Sequence, residues 1–191
     1  GEEVRRRIVL FAAFLFPSPA WAQEEALTRL MAALAAVRER RENFVEEKTL
    51  PGLDLPLPSG GTLRWTAPDR LERRTAWPIE ERISVAGGRI SYELPSRGMR
   101  REFGVEEQPE LGALLEAVRS TLAGDLATLR RHYEVAFATE GEGWRMRLVP
   151  RSARVRGLVE RVTVAGRGTA IREVDTEGAG GVTRMRIAAG P

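Results

Sequence analysis

The stretch from Gly60 to Val105 constrains this chain more than any other, because it reads as a continuous meander of short strands. Leu63 and Trp65 alternate with Thr62, Arg64 and Thr66. Ile83 and Val85 alternate with Arg82 and Ser84, and Ile90, Tyr92 and Leu94 with Arg89, Ser91 and Glu93. A period of two places one apolar and one wet face on the same sheet. Gly87-Gly88 lies between two of these runs and supplies two residues able to take positive φ, as a type I′ hairpin requires. Pro68-Asp69 and Pro95 to Gly98 predict further turns.

The flanks add helices and more strands. Leu27, Leu30, Met31, Leu34 and Val37 form one apolar stripe in a helix predicted over Glu24 to Glu42, whose end, Arg38 to Glu42, reads as solvated. Asn43 to Leu50 reads as a strand led by Phe44, and Pro51 to Gly61 as a long hairpin connection carrying Leu53, Leu55 and Leu57. Pro109 to Leu122 predicts a second helix, with Pro109 in its first turn and Leu111, Leu114, Leu115, Val118 and Leu122 on one stripe. Gly124 closes it, and Asp125 is placed to cap a short helix over Leu126 to Arg130. Alternation resumes in Tyr133, Val135 and Phe137, and again in Trp144, Met146 and Leu148. Strands are predicted over Leu158 to Val164, Ala170 to Thr176 and Val182 to Ile187, with turns at Gly166 to Gly168 and Gly178 to Gly181.

This order is helix, about six strands, two helices and about four strands, an α+β pattern with an antiparallel sheet. Roughly ten strands with one apolar face must curl or close. The expected architecture is an open, curved half-barrel with helices covering its concave face. A chain of 191 residues, 42% of them hydrophobic, suffices for one such core.

Residues 1–22 carry a different signal. Arg5 to Arg7 precede the apolar run Ile8 to Phe16, Pro17 and Pro19 break it, and Ala20-Trp21-Ala22 follows. That is the layout of a secretory signal peptide cleaved after Ala22, with residues 23–191 as the mature domain. The run is far shorter than the roughly 20 residues that span a bilayer. No cysteine follows it, so the expectation is an exported, periplasmic protein that is not itself a lipoprotein.

Residue types needed for catalysis are scarce. There are no cysteines, and His132 is the single histidine, which removes thiol chemistry and His-pair metal sites. Gly-x-Ser-x-Gly does not occur. Glu46-Glu47 and Glu80-Glu81 are adjacent pairs, which point to opposite faces of a strand and read as solvated or salt-bridged. The expectation is no enzyme, no metal and no cofactor. The 30 basic residues are scattered among 27 acidic ones, so despite a pI of about 10.1 nucleic-acid binding is not expected. An apolar concave face that helices only partly cover points instead to an acyl-chain site. Parity assigns its wall to Leu30 and Leu34 of the first helix, Leu63, Trp65 and Leu71, then Ile83, Val85, Ile90 and Tyr92 of the meander. It adds Leu114, Leu115 and Val118 of the second helix, and Met146 and Leu148.

Several of these motifs together resemble a known family. Gly61-Thr62-Leu63-Arg64-Trp65 is a Gly-x-Leu-x-Trp run, followed by the Pro68-Asp69 turn, a charged strand and Trp77-Pro78. Ile83-Ser84-Val85, a Gly turn and Ile90-Ser91-Tyr92 come next, and Leu148-Val149-Pro150 closes a later strand. In this order they resemble LolA, the periplasmic carrier of outer-membrane lipoproteins, over nearly the whole mature chain. The resemblance implies a half-barrel with a helical lid and a monomeric carrier of acylated lipoprotein or lipid cargo. It also implies an inner-membrane exporter and an outer-membrane acceptor as partners. Well-studied members place an arginine directly before the proline that matches Pro68 and latch the lid through it; here the residue is Ala67, so the latch does not carry over. They also often run on beyond the last main strand, whereas here only a few residues follow Ile187. Both departures imply a divergent relative, of the kind that accompanies glycolipid or polyene-lipid export. The competing expectation is a non-carrier sensor of envelope lipid or lipoprotein on the same scaffold.

Overall fold

Alternating inner and outer side chains produce a single antiparallel sheet whose two edges do not meet. The computed structural model describes residues 19–189. Six strands come first: β1 (Glu39–Thr49), β2 (Leu57–Thr66), β3 (Arg70–Trp77), β4 (Glu81–Ala86), β5 (Arg89–Leu94) and β6 (Met99–Gly104). Five follow the helices: β7 (Tyr133–Glu140), β8 (Gly143–Pro150), β9 (Val159–Arg167), β10 (Ala170–Gly178) and β11 (Gly181–Ala189). The spatial order is β6-β5-β4-β3-β2-β1-β11-β10-β9-β8-β7. Each half is a meander, and β1 pairs with β11 to join them. The expected α+β half-barrel is therefore the architecture that forms.

This topology dictates where the helices lie. β6 and β7 are opposite edges of the sheet, yet they are consecutive in the chain. The connection between them must cross the sheet, and it does so as α2 (Pro109–Leu122) and α3 (Leu126–His132). α1 (Ala20–Ala35) precedes the sheet, and α4 (Ala153–Arg156) is a single turn between β8 and β9. Leu27, Leu30, Met31 and Leu34 of α1 are buried with Leu129, Tyr133, Met146 and Leu148 in a core that continues through Val162 and Val164 to Phe44 and Trp65. Fully burying one such side chain contributes about 1.5–3 kcal/mol. Polar ties fix the helices on this core. The Tyr133 hydroxyl donates to the Ala113 carbonyl of α2, Asp125 accepts from the Thr128 amide at the start of α3, and Arg130 reaches Glu24 of α1 at 2.7 Å.

Two local expectations are corrected, and one short helix, α4, was not expected. The first helix ends at Ala35, not Glu42, because Glu39 to Glu42 pair with β2, and Glu42 also with β11. Ladder bonds on either side override the good helix propensity of Arg and Glu, which tertiary pairing routinely outweighs. β2 begins at Leu57, so the connection after β1 is shorter than Pro51 to Gly61. α4 carries too few residues to show a periodicity. Pro109 to Leu122 and the Asp125 cap match their expected positions, and Gly87 and Gly88 both take positive φ in the β4–β5 turn. The leader signature up to Ser18 lies outside the described residues; Ala20 to Ala22 form the first turn of α1.

Gly124 is the tightest joint between the helices. Its φ is +64°, and a Cβ there would lie 2.1 Å from the Met31 carbonyl oxygen of α1. Left-handed strain and this clash together predict that Gly124→Ala lowers stability by roughly 2–4 kcal/mol. Urea denaturation should show the midpoint falling with an unchanged slope.

Candidate functional site

The inner face is not sealed everywhere. Under α2 a cavity of about 240 Å³ opens between the helix and the sheet. α2 contributes Leu111, Leu114, Leu115, Val118 and Leu122, and the sheet contributes Leu63, Trp65, Leu71 and Ile83 from β2 to β4. Val162, Ile171, Val174, Met185 and Ile187 complete it from β9 to β11. Strands from both halves thus line one space, which requires the sheet to wrap around α2. Leu111, Leu114, Leu115 and Val118 are only half-buried, whereas a helix stripe packed into a full core would be closed off. The space is of a size to take part of an alkyl chain, and each methylene removed from water there contributes about 0.8 kcal/mol.

The residues singled out as cavity wall divide in two. Leu63, Trp65, Leu71, Ile83, Leu114, Leu115 and Val118 line the cavity together. Leu30, Leu34, Met146 and Leu148 lie in the packed core instead, because α1 covers the β7–β8 end of the inner face. Val85 and Ile90 are buried opposite each other on β4 and β5, away from the cavity. Tyr92 is half-buried and donates to Glu81 at 3.0 Å.

Charged side chains inside the cavity are the unexpected feature. β1 is the central strand and presents Arg40, Glu42, Glu46 and Lys48 to the cavity, on the same face as Phe44. β3 adds Arg73. Glu46 accepts from both terminal nitrogens of Arg73, at 3.1 and 2.9 Å, and the Arg73 guanidinium stacks 4.7 Å from the Phe44 ring centre. This two-pronged, aromatic-backed geometry suits arginine and not lysine. Arg40 and Glu42 are matched less well, with Arg40 Nη1 3.6 Å from Glu42 Oε1, beyond hydrogen-bond length. Burial pushes the Glu42 carboxyl above its ordinary range despite the nearby Arg40 and Arg172, and lowers Arg40. The signal for these groups was the shared parity with Phe44; Arg38 to Glu42, read as a helix end, concealed it.

His132, the single histidine, sits at a second cleft with Glu116, Tyr133 and Ser152, which shares no lining residue with the cavity. Among the described residues, no group of three His, Cys, Asp or Glu side chains is placed to hold a metal ion.

The family model described as outer membrane lipoprotein carrier protein LolA-like matches residues 20–191. The chain belongs to this family. No curated protein matches the sequence. Solved structures similar to this LolA-like chain are distant in sequence. A LolA superfamily protein of Nitrosomonas europaea is 8% identical, covering 85% of this chain and 91% of its own, with a TM-score of 0.43. A putative outer membrane lipoprotein-sorting protein domain of Vibrio parahaemolyticus is also 8% identical, over 85% and 89%, at 0.46. MucB of Pseudomonas aeruginosa, solved in complex with MucA, is 11% identical over 87% of this chain and 59% of its own, at 0.44.

Glu46 and Arg73 depend on each other. Truncating Arg73 leaves the buried Glu46 unpaired, so Arg73→Met alone should destabilise the LolA-like fold by about 3 kcal/mol, and Glu46→Leu by less, because Arg73 is partly exposed. The double variant should recover most of that loss, which a double-mutant cycle by urea denaturation measures directly.

Proposed function

We propose that this LolA-like protein is a periplasmic carrier that shelters acyl chains of lipoprotein or lipid cargo and moves them towards the outer membrane. The observation that carries this reading is the half-buried α2 stripe of Leu111, Leu114, Leu115 and Val118 facing Leu63, Trp65 and Leu71 across an apolar space. Acyl chains enter such a space because each methylene removed from water contributes about 0.8 kcal/mol. Family membership over residues 20–191 supports a role in lipoprotein or lipid handling. In this reading the protein has no catalytic site, and an inner-membrane exporter loads it while an outer-membrane acceptor empties it. The arginine signature and apolar run of residues 5–16 support export before cleavage.

An apolar fluorescent probe should bind the mature protein and be displaced by acylated peptide. Leu115→Glu should weaken probe binding at least about tenfold, since its carboxylate must be desolvated or neutralised in the cavity. His132→Ala, at the other cleft, should bind the probe as the unaltered protein does. Unfolding of the Leu115→Glu protein without a cavity effect would place α2 in sealed core and remove the carrier reading.

Export makes a separate prediction. The protein recovered from the periplasm should begin at Gln23, read by N-terminal sequencing. Retention in the cytosol with residues 1–22 intact would contradict a carrier between membranes.

A further inference from the structure

The cavity wall holds more hydrogen-bond donors than it satisfies. Arg40 Nε and Nη2 have no partner among the described residues, although the side chain is only 8% exposed. Trp65 Nε1 and Arg73 Nε are also buried and unpartnered, and all three residues line the same cavity. Arg40 and Trp65 sit opposite each other in the β1–β2 register. These orphaned atoms are all N–H donors. Guanidinium does not give up its proton inside a protein, and an unsatisfied buried donor is destabilising. A water or a neutral carbonyl supplies an acceptor but adds nothing to the charge balance, which for Arg40 rests on one long contact to Glu42.

The local charge count points the same way. Four cations line the cavity, Arg40 and Arg73 within it and the exposed Lys48 and Arg64 at its margin, against two carboxylates, Glu42 and Glu46. Arg73 is committed to Glu46 through both terminal nitrogens. Glu42 stands 3.6 Å from Arg40 and does not saturate it.

We propose that the cavity is a site for an anionic acyl amphiphile, its chain against the α2 stripe and its carboxylate or phosphate oxygens accepting from Arg40 and Trp65. The inference rests on the acyl-chain reading above and narrows it. The ester- and amide-linked chains of a lipoprotein carry no charge at the acyl end, so the site favours an acidic lipid as cargo. Lys48, exposed near the end of the same strand face, adds a further positive charge to the lining.

Three probes with one palmitoyl chain separate the possibilities: palmitate, palmitoyl lysophosphatidate and the uncharged monopalmitoylglycerol. Each is titrated below its micelle concentration into delipidated mature protein by calorimetry. The expected result is that at least one acid binds roughly tenfold or more tightly than the neutral probe, as charge-assisted hydrogen bonding requires. Preference between the two acids distinguishes a fatty acid from a phosphate ester. Arg40→Met should bring the acid-to-neutral ratio within about twofold, and Arg40→Lys should keep part of the preference. Equal binding of all three probes overturns the anionic proposal and leaves the acyl-carrier reading standing; no binding of any overturns both. A preference that survives Arg40→Met overturns the role given to Arg40. If Arg40→Met does not fold, a ratio near one in the unaltered protein still refutes the proposal.

Discussion

An open sheet with one apolar face has to be covered, and here a single chain crossing does most of the covering. β6 and β7 are the outermost strands on opposite sides, so the segment joining them has to pass over the inner face. Its helical stripe supplies the apolar surface that the strands need. A closed barrel would fill its interior with its own side chains. An open one wrapped around a helix leaves space wherever the helix does not seat fully, and α2 does not seat fully above β1 to β4. The cavity thus follows from strand order and not from any special residue.

The same geometry explains why charge is tolerated inside. β1 is central, flanked by β2 and β11, and its inner positions look straight into the cavity. A charged residue there is out of bulk water and needs a partner. Glu46 has one, held in fork geometry by Arg73 and backed by Phe44. Arg40 has only a long contact to Glu42. An interior that binds only alkyl chains has no use for a half-satisfied guanidinium, and replacing such groups by packed apolar residues is often neutral or stabilising. Its presence in the wall is best understood through what enters.

Much of the fold was legible because period two and the helical stripes are strong signals. Gly87-Gly88, Pro109 and Asp125 marked element boundaries through their own backbone or capping chemistry. The stretch Arg38 to Glu42 was not legible, since a run of Arg and Glu suits a solvated helix end as well as a central strand. Parity identified the inner face but not which part of it remains open. Met146 and Leu148 share that face with Leu63 and Trp65, yet Leu30 and Leu34 of α1 belong to the core that buries them. Parity also breaks where the β9–β10 register shifts, between Ile171 and Glu173 and between Glu177 and Gly178, so Val174 follows Ile171 to the cavity side. The charged wall escaped a search for apolar residues because it is made of the residue types such a search discards.

The most direct test of the account is native mass spectrometry of the protein recovered gently from the bacterial envelope. The account predicts a non-covalent adduct that releases fatty-acyl ions on activation, with a negatively charged lipid predominating. Bare protein alone, under conditions in which a known lipid-binding protein from the same preparation keeps its ligand, would contradict it.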